Sequence, residues 1–240
     1  MKKTVIILSL MFFLLPPALQ GQTENDTEIL EFKLNNFYSI KLRQISESEF
    51  TAQKKATEHL SHKLYKVITD VAKAQKMLGK RIKAVKEQED DYYTYLEVAY
   101  KGKIKKRLNV IWLGWHEHSN FIAYYPEFEI LIINHEADGD YPVDLNDSTT
   151  EPVGNPKYYA FSPDKQFRIN GYSPGGAADG LTYWLEKWNK SKKKYEFIEY
   201  LPLFNYVSEC FWTGNSKVLF KYGWDNNYDI RYYEMEIITN

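Results

Sequence analysis

Phe161-Ser162-Pro163-Asp164-Lys165 and Phe211-Trp212-Thr213-Gly214-Asn215 are the two stretches on which the reading of this chain turns. In each, aromatic residues lead into a set of turn-forming residues, and apolar alternation resumes at Phe167 and at Val218. A second aromatic strand follows at a similar offset. Tyr183-Trp184 begins 22 residues after Phe161, and Tyr232-Tyr233 begins 21 residues after Phe211. Stacked antiparallel hairpins or propeller-like blades leave an internal repeat of this kind. From Tyr158 to Ile238 the chain therefore reads as repeated aromatic hairpins.

Upstream, the two-residue period extends to Tyr92. Tyr93, Tyr95, Val98 and Tyr100 suggest a strand with Lys101-Gly102 as its turn. Leu108–Trp115, Phe121–Tyr125 and Phe128–Asn134 follow as further strands, the last two joined by Pro126-Glu127. An acidic, turn-rich loop from Glu136 to Pro156 separates them from the aromatic hairpins. Nearer the start, Leu30, Phe32 and Leu34 alternate, as do Tyr38, Ile40 and Leu42, with Asn35-Asn36 between them, which predicts a hairpin or two short strands.

Between these strands, Ser46 to Glu89 reads as the helical part. Leu60, Leu64, Val67, Ile68, Val71, Leu78, Ile82 and Val85 fall mostly on one stripe at helical spacing. Ser48 is the expected cap and Gly79 the expected break, with Lys80 to Gln88 as an alternative start for the sheet. No strand alternates with a helix, so a parallel sheet is not expected. A four-bladed propeller needs about sixteen strands, more than the pattern supplies. The fold class is thus α+β: a mostly antiparallel meander or sandwich with propeller-like hairpin repeats, plus one N-terminal amphipathic helical region over about 46–89.

The first 21 of the 240 residues read as a signal peptide. Lys2 and Lys3 form a positive start, Val5 to Leu15 is an apolar run, Pro16-Pro17 breaks it, and small residues follow near Gly21. The run is too short to anchor the mature chain across a bilayer, and no cysteine near residue 20 offers a site for lipid attachment. The expectation is a secreted or periplasmic protein with one β-rich domain over 22–240 and no membrane span. Loss of Lys2 and Lys3 takes the formal charge from −1 to −3. That near-neutral balance lacks the basic face that nucleic acid requires. Lysines do cluster at Lys101 to Arg107 and at Lys190 to Lys194, where solvated hairpin tips account for them. Cys210, the single cysteine, sits in the strand-like run Val207 to Trp212 and reads as a small buried hydrophobe.

Motifs that point to chemistry are few. Gly171-Tyr172-Ser173-Pro174-Gly175 has the G-x-S-x-G spacing of a nucleophile elbow. Pro174 supplies no backbone N–H for an oxyanion hole, and no histidine follows His135. Gly175 to Gly180 is glycine-rich but lacks the Gly-Lys-Ser/Thr of a phosphate loop and reads as a connection between strands. His116, His118, His135 and Glu136 are the metal candidates. They would converge if Leu108–Trp115, Phe121–Tyr125 and Phe128–Asn134 formed one meander, giving imidazoles and a carboxylate suited to zinc or copper. Spacing alone does not establish such a site, and no cofactor is expected. His59 and His62, three apart on the expected helix, read as solvated. The aspartates of the 138–147 loop do not follow EF-hand spacing.

Aromatic residues make up 16% of the chain, with 20 tyrosines and 6 tryptophans, which either pack the sheet faces or form a recognition surface for protein or glycan. Tyr183, Trp184, Trp188, Trp212 and Trp224 are the expected binding residues, since such side chains carry an apolar body and a polar tip. The composition and motifs point to a non-enzymatic binding protein. The first expectation is a protein partner, bound as an inhibitor or toxin-neutralising protein binds its target. The alternatives are a carbohydrate and, for an enzyme, a metal-dependent hydrolase using the three histidines.

Overall fold

The computed structural model describes residues 29–60, 65–85, 93–100, 104–112, 121–135, 139–146, 152–174, 180–223 and 229–240. The expected N-terminal hairpin forms: β1 (Ile29–Lys33) pairs antiparallel with β2 (Tyr38–Ile45). Asn35 shapes its turn, accepting from the backbone N–H groups of Phe37 and Tyr38 at 2.8 and 3.1 Å.

The helical region expected over 46–89 holds two short helices among the described residues. α1 (Glu47–Thr57) is capped by Ser46, not Ser48: the Ser46 hydroxyl accepts from the Glu49 N–H at 3.1 Å. α2 (Val71–Leu78) is capped by Asp70, which accepts from the Lys73 N–H at 2.9 Å. Between them Ile68 exchanges two backbone hydrogen bonds with Tyr124, at 2.9 and 2.8 Å. An extended backbone at Ile68 is incompatible with a continuous helix, so the apolar stripe is shared among separate elements. Gly79 ends α2 with φ +52°, a left-handed position that a residue with a Cβ adopts only with strain. After a short 3₁₀ turn at Gly79–Arg81 the chain enters β3 (Ile82–Val85), so the sheet begins within the 80–88 segment.

Every strand pairing among the described residues is antiparallel. β3, β4 (Tyr93–Tyr100) and β5 (Ile104–Trp112) form one sheet. β6 (Phe121–Tyr125), β7 (Ile130–His135) and β8 (Gly139–Asp144) form the next. Two expectations change here. Residues 139–144, read as part of an acidic loop, make strand β8, with Pro142 on an edge strand where its missing N–H is tolerated. The three-strand meander does not start at residue 108: β5 belongs to the preceding sheet and pairs with β4, not β6. Residues 113–120 lie outside the described residues.

The aromatic hairpins follow. β9 (Ala160–Phe161), β10 (Phe167–Tyr172), β11 (Thr182–Asn189) and β12 (Lys194–Tyr200) form a four-stranded meander. β13 (Val207–Trp212), β14 (Lys217–Tyr222) and β15 (Arg231–Thr239) repeat the first three of its strands. The quoted stretches close the equivalent hairpins β9–β10 and β13–β14, which explains the similar offsets. β15 then pairs with β2 along its length, so the N-terminal hairpin completes a five-stranded sheet in the order β1-β2-β15-β14-β13.

The sheets stack in series because alternate residues of each strand feed different cores. Ile40, Leu42, Val218, Phe220 and Met235 of the five-stranded sheet meet Phe167, Ile169, Tyr183 and Leu185 of the four-stranded sheet in the largest core. Phe161 and Tyr159, on the far side of the four-stranded sheet, meet Ala123, Tyr125, Ile130 and Ile132. The intervening residues Tyr124, Leu131 and Ile133 pack instead against α2, Leu96 and Val98. On the outer face of the five-stranded sheet, Phe50 of α1 packs on Phe211 and Tyr232. No helix among the described residues is long and apolar enough to cross a membrane.

Candidate functional site

The site lies between the four-stranded sheet and the β6-β7-β8 sheet. On β10, Phe167 and Ile169 point into the largest core, so Arg168 and Asn170 point the other way. On β11 the same alternation sends Tyr183 and Leu185 into the core and puts Trp184, Glu186 and Trp188 on the Arg168 side. The register sets Arg168 opposite Glu186 and Asn170 opposite Trp184. Phe161 of β9 faces Arg168 across one pairing, and Phe197 of β12 faces Glu186 across another, next to a bulge at Leu185/Glu186. One rung of the sheet thus reads Phe161, Arg168, Glu186, Phe197.

Arg168 and Glu186 form a buried pair, with side chains 13% and 6% exposed. Arg168 Nε and Nη2 both lie 2.5 Å from Glu186 Oε2. The other carboxylate oxygen, Oε1, accepts from Asn170 Nδ2 and Trp184 Nε1, each at 2.8 Å. Both oxygens of Glu186 are therefore engaged. The Arg168 guanidinium also packs on aromatic rings: its Cζ lies 4.2 Å from the Tyr159 centroid, 4.4 Å from Tyr195 and 5.7 Å from Phe161. Cation–π attraction and ion pairing together hold a charge where desolvation alone would expel it.

A cavity of ≈ 380 Å³ opens over this pair. Tyr159, Phe161, Trp188, Tyr195, Phe197 and Phe128 wall it, and Arg168, Asn170 and Glu186 line its polar part. The exposed residues Glu127 and Lys193 stand at the rim, from the β6–β7 and β11–β12 hairpin tips. Glu129, Lys165 and Lys193 at three hairpin tips are all left-handed, with φ of 56°, 58° and 53°. The Tyr195 hydroxyl donates to the Lys165 carbonyl at 2.7 Å, fixing its ring from the neighbouring tip. Burial pushes the Tyr195 phenol up to about 12, with the Arg168 charge opposing it. Burial likewise raises Tyr159, against the same opposing charge. Desolvation pulls Arg168 down, but Tyr159 and Glu186 outweigh it and leave the guanidinium raised.

The far end of the site is held by a joint between β8 and β10. The Asp140 N–H donates to the Ser173 carbonyl at 2.7 Å, and the Asp140 carboxylate accepts from Asn155 Nδ2 at 3.0 Å and from the Ser173 N–H at 3.3 Å. Ser173, the serine of the G-x-S-x-G spacing, thus sits in a strand-to-strand joint. Gly154 packs so closely here that a Cβ would lie 1.6 Å from Asn170 Oδ1.

Of the residues singled out from sequence, Tyr183 and Trp212 lie in the largest core. Trp184 is 0% exposed, with its ring edge-on to Tyr172 and Tyr200. Trp188 is half-buried and lines the cavity. Trp224, His116, His118 and Glu136 lie outside the described residues, as do His62, Asp138 and residues 175–179. His135 ends β7, opposite Gly139. Among the described residues no group of three His, Cys, Asp or Glu side chains is placed to hold a metal ion. Cys210 is half-buried against the largest core, and burial pushes its thiol up to about 12. Lys190 to Lys193 do form a hairpin tip, between β11 and β12.

Sequence reasoning missed Arg168, Glu186, Asn170, Tyr159, Phe161 and Tyr195. Arg168 alternates with Phe167 and Ile169, and Glu186 follows Leu185, so in sequence each has the pattern of a solvent-facing position in a half-buried strand and gives no local signal. Comparison of the chain with protein-family models, with curated proteins and with solved structures gave no match.

Proposed function

We propose that this protein is an exported, non-enzymatic binding protein that captures a small polar group in the cleft above Arg168 and Glu186. The group is either a free ligand or a protruding part of a larger partner. The observation that carries this reading is the cleft itself: an aromatic-walled cavity of ≈ 380 Å³ around polar groups already saturated by one another. Concave, largely apolar sites with a few placed polar groups are where small ligands bind. With both Glu186 oxygens engaged, the pair offers shape and polarity but no free base, which favours binding over catalysis. A flat protein interface anchored on Tyr183, Trp184 and Trp212 is disfavoured by their burial. The signal-like start supports export. The serial stacking of meanders, with β2 joined to β15, supports reading the sheets as propeller-like blades.

The test is a thermal-shift screen of mature protein, starting at residue 22, against sugars, amino acids, nucleosides and short peptides. The expected result is a compound that raises the melting temperature of the native protein and not of Trp188→Ala. A partner that binds equally well to native protein and to Trp188→Ala would place recognition elsewhere and sink the proposal.

A further inference from the structure

We infer that the cleft takes a short, neutral saccharide, seated on Trp188 and Tyr195. The inference rests on the cleft being the binding site proposed above. Trp188 and Tyr195 are register partners across β11 and β12. Their ring centroids lie 5.1 Å apart with the planes inclined at 60°, and both rings line the cavity. Two inclined rings form a corner, with an apolar face for the C–H side of a sugar ring and a second ring to bracket it. Such amphipathic aromatics suit ligands that are apolar on one side and polar on the other.

Charge selects among the ligands that could stack there. Arg168, Lys193 and Lys194 line the cavity with three cations; Glu127, Asp144 and Glu186 line it with three carboxylates. An anionic ligand such as a nucleotide would meet as many like charges as opposite ones, so the cleft offers it no net attraction. A neutral ring bearing several hydroxyls loses nothing to that balance, and each hydroxyl donates one hydrogen bond and accepts others, which suits the exposed rim groups Glu127 and Lys193. The cavity volume of ≈ 380 Å³ falls in the small-molecule range of about 300–1,000 Å³, with room for a short saccharide.

The ligand-facing residue that can be changed without touching the core is Trp188, since Trp184 and Glu186 hold the sheet together from below. Calorimetric titration of neutral, sulfated and sialylated oligosaccharides, first ranked on a glycan array, is the deciding experiment. A neutral saccharide should bind, with little dependence on salt. Trp188→Ala should weaken it by about tenfold or more, as loss of an aromatic stacking platform does, and Trp188→Tyr should keep most of the affinity. Should Trp188→Ala fail to fold, Trp188→Tyr and ligand-induced shifts of the Trp188 indole resonance in the native protein carry the same test. Binding only of charged glycans, or of a nucleoside or peptide sensitive to Trp188, would overturn the saccharide assignment and leave the binding site standing. Absence of any ligand that perturbs the Trp188 resonance would overturn both.

Discussion

Arg168 and Glu186 face each other across β10 and β11, and two guanidinium nitrogens lie 2.5 Å from one carboxylate oxygen while both side chains are nearly out of water. Removing one partner from a buried pair strands the other charge, at a cost of about 3–5 kcal/mol, whereas neutralising both leaves no charge unpaired. Arg168→Met and Glu186→Gln should therefore each destabilise the protein strongly. The double variant should lose less than the two losses added, with a coupling of at least about 1 kcal/mol in urea denaturation. Additive losses would mean that the pair is bystander to the packing around it.

Gly154 should not tolerate a methyl group. A Cβ there would sit 1.6 Å from Asn170 Oδ1 and 2.8 Å from the Gly171 carbonyl oxygen, both beside the cleft. At Gly214, in the β13–β14 turn, a Cβ meets nothing within 4 Å. Gly154→Ala is expected to lower the melting temperature by several degrees, and Gly214→Ala to leave it within about 0.5 kcal/mol of native stability. Differential scanning calorimetry of the two variants checks this; equal melting points would show that the joint between β8 and β10 yields freely.

The parts of this fold that were legible in sequence are local ones. The Asn35-Asn36 hairpin, the strand Phe121–Tyr125 and the paired meanders after residue 158 each follow from alternation and turn residues read over a short window. The misread parts needed distant partners. Ile68 looks helical until Tyr124 pairs with it, and residues 139–144 look like a loop until β7 and Ser173 supply their hydrogen bonds. The cleft was hidden for the same reason. Arg168 and Glu186 become a pair only through the β10–β11 register, and Tyr159, Tyr195 and Phe128 reach the site from separate elements.

Export is tested most directly at the N terminus. Protein recovered from the envelope or medium should begin between about residues 19 and 24, after the Pro16-Pro17 break and near the small residues of the cleavage region. Exported protein that still begins at Met1 would contradict the signal-peptide reading.

Alkaline pH should destabilise the protein, beginning with Cys210. Burial pushes the Cys210 thiol from 9.0 up to about 12, and the Tyr158 and Tyr195 phenols from 10.0 up to about 12. The unfolded chain gives up these protons first, so between about pH 9 and 12 the folded state holds more protons, and stability falls as pH rises. Below pH 9 these groups contribute no slope. Urea midpoints measured from pH 8 to 11 should decline, and Cys210→Ala should remove the earliest part of the decline. In the native protein at neutral pH the thiol should react slowly with a disulfide reagent, and at once after unfolding. A flat profile from pH 8 to 11 would argue against burial of these groups.

Trp184 and Trp212 offer the sharpest comparison, because both are buried and, among the described residues, only the Trp184 indole N–H has an acceptor. Trp184 Nε1 donates to Glu186 Oε1 at 2.8 Å. Trp212 Nε1 is enclosed with no acceptor among the described residues, its ring stacked on Phe167 at 6.5 Å with planes 14° apart. Substitution by Phe removes a similar volume at each position, so the packing loss is comparable. The hydrogen-bond consequences are opposite. Trp184→Phe takes a donor from a buried carboxylate, whereas Trp212→Phe deletes a donor whose burial was uncompensated. An unmet buried polar group costs about 1–3 kcal/mol. Trp212→Phe should therefore be milder than Trp184→Phe by a margin on that order, measured by urea denaturation at neutral pH. Trp188→Phe, at the cleft, should change stability less than either. Equal losses at 184 and 212 would mean that volume alone decides, and that the hydrogen bond from Trp184 to Glu186 adds nothing to the strength of the cleft floor.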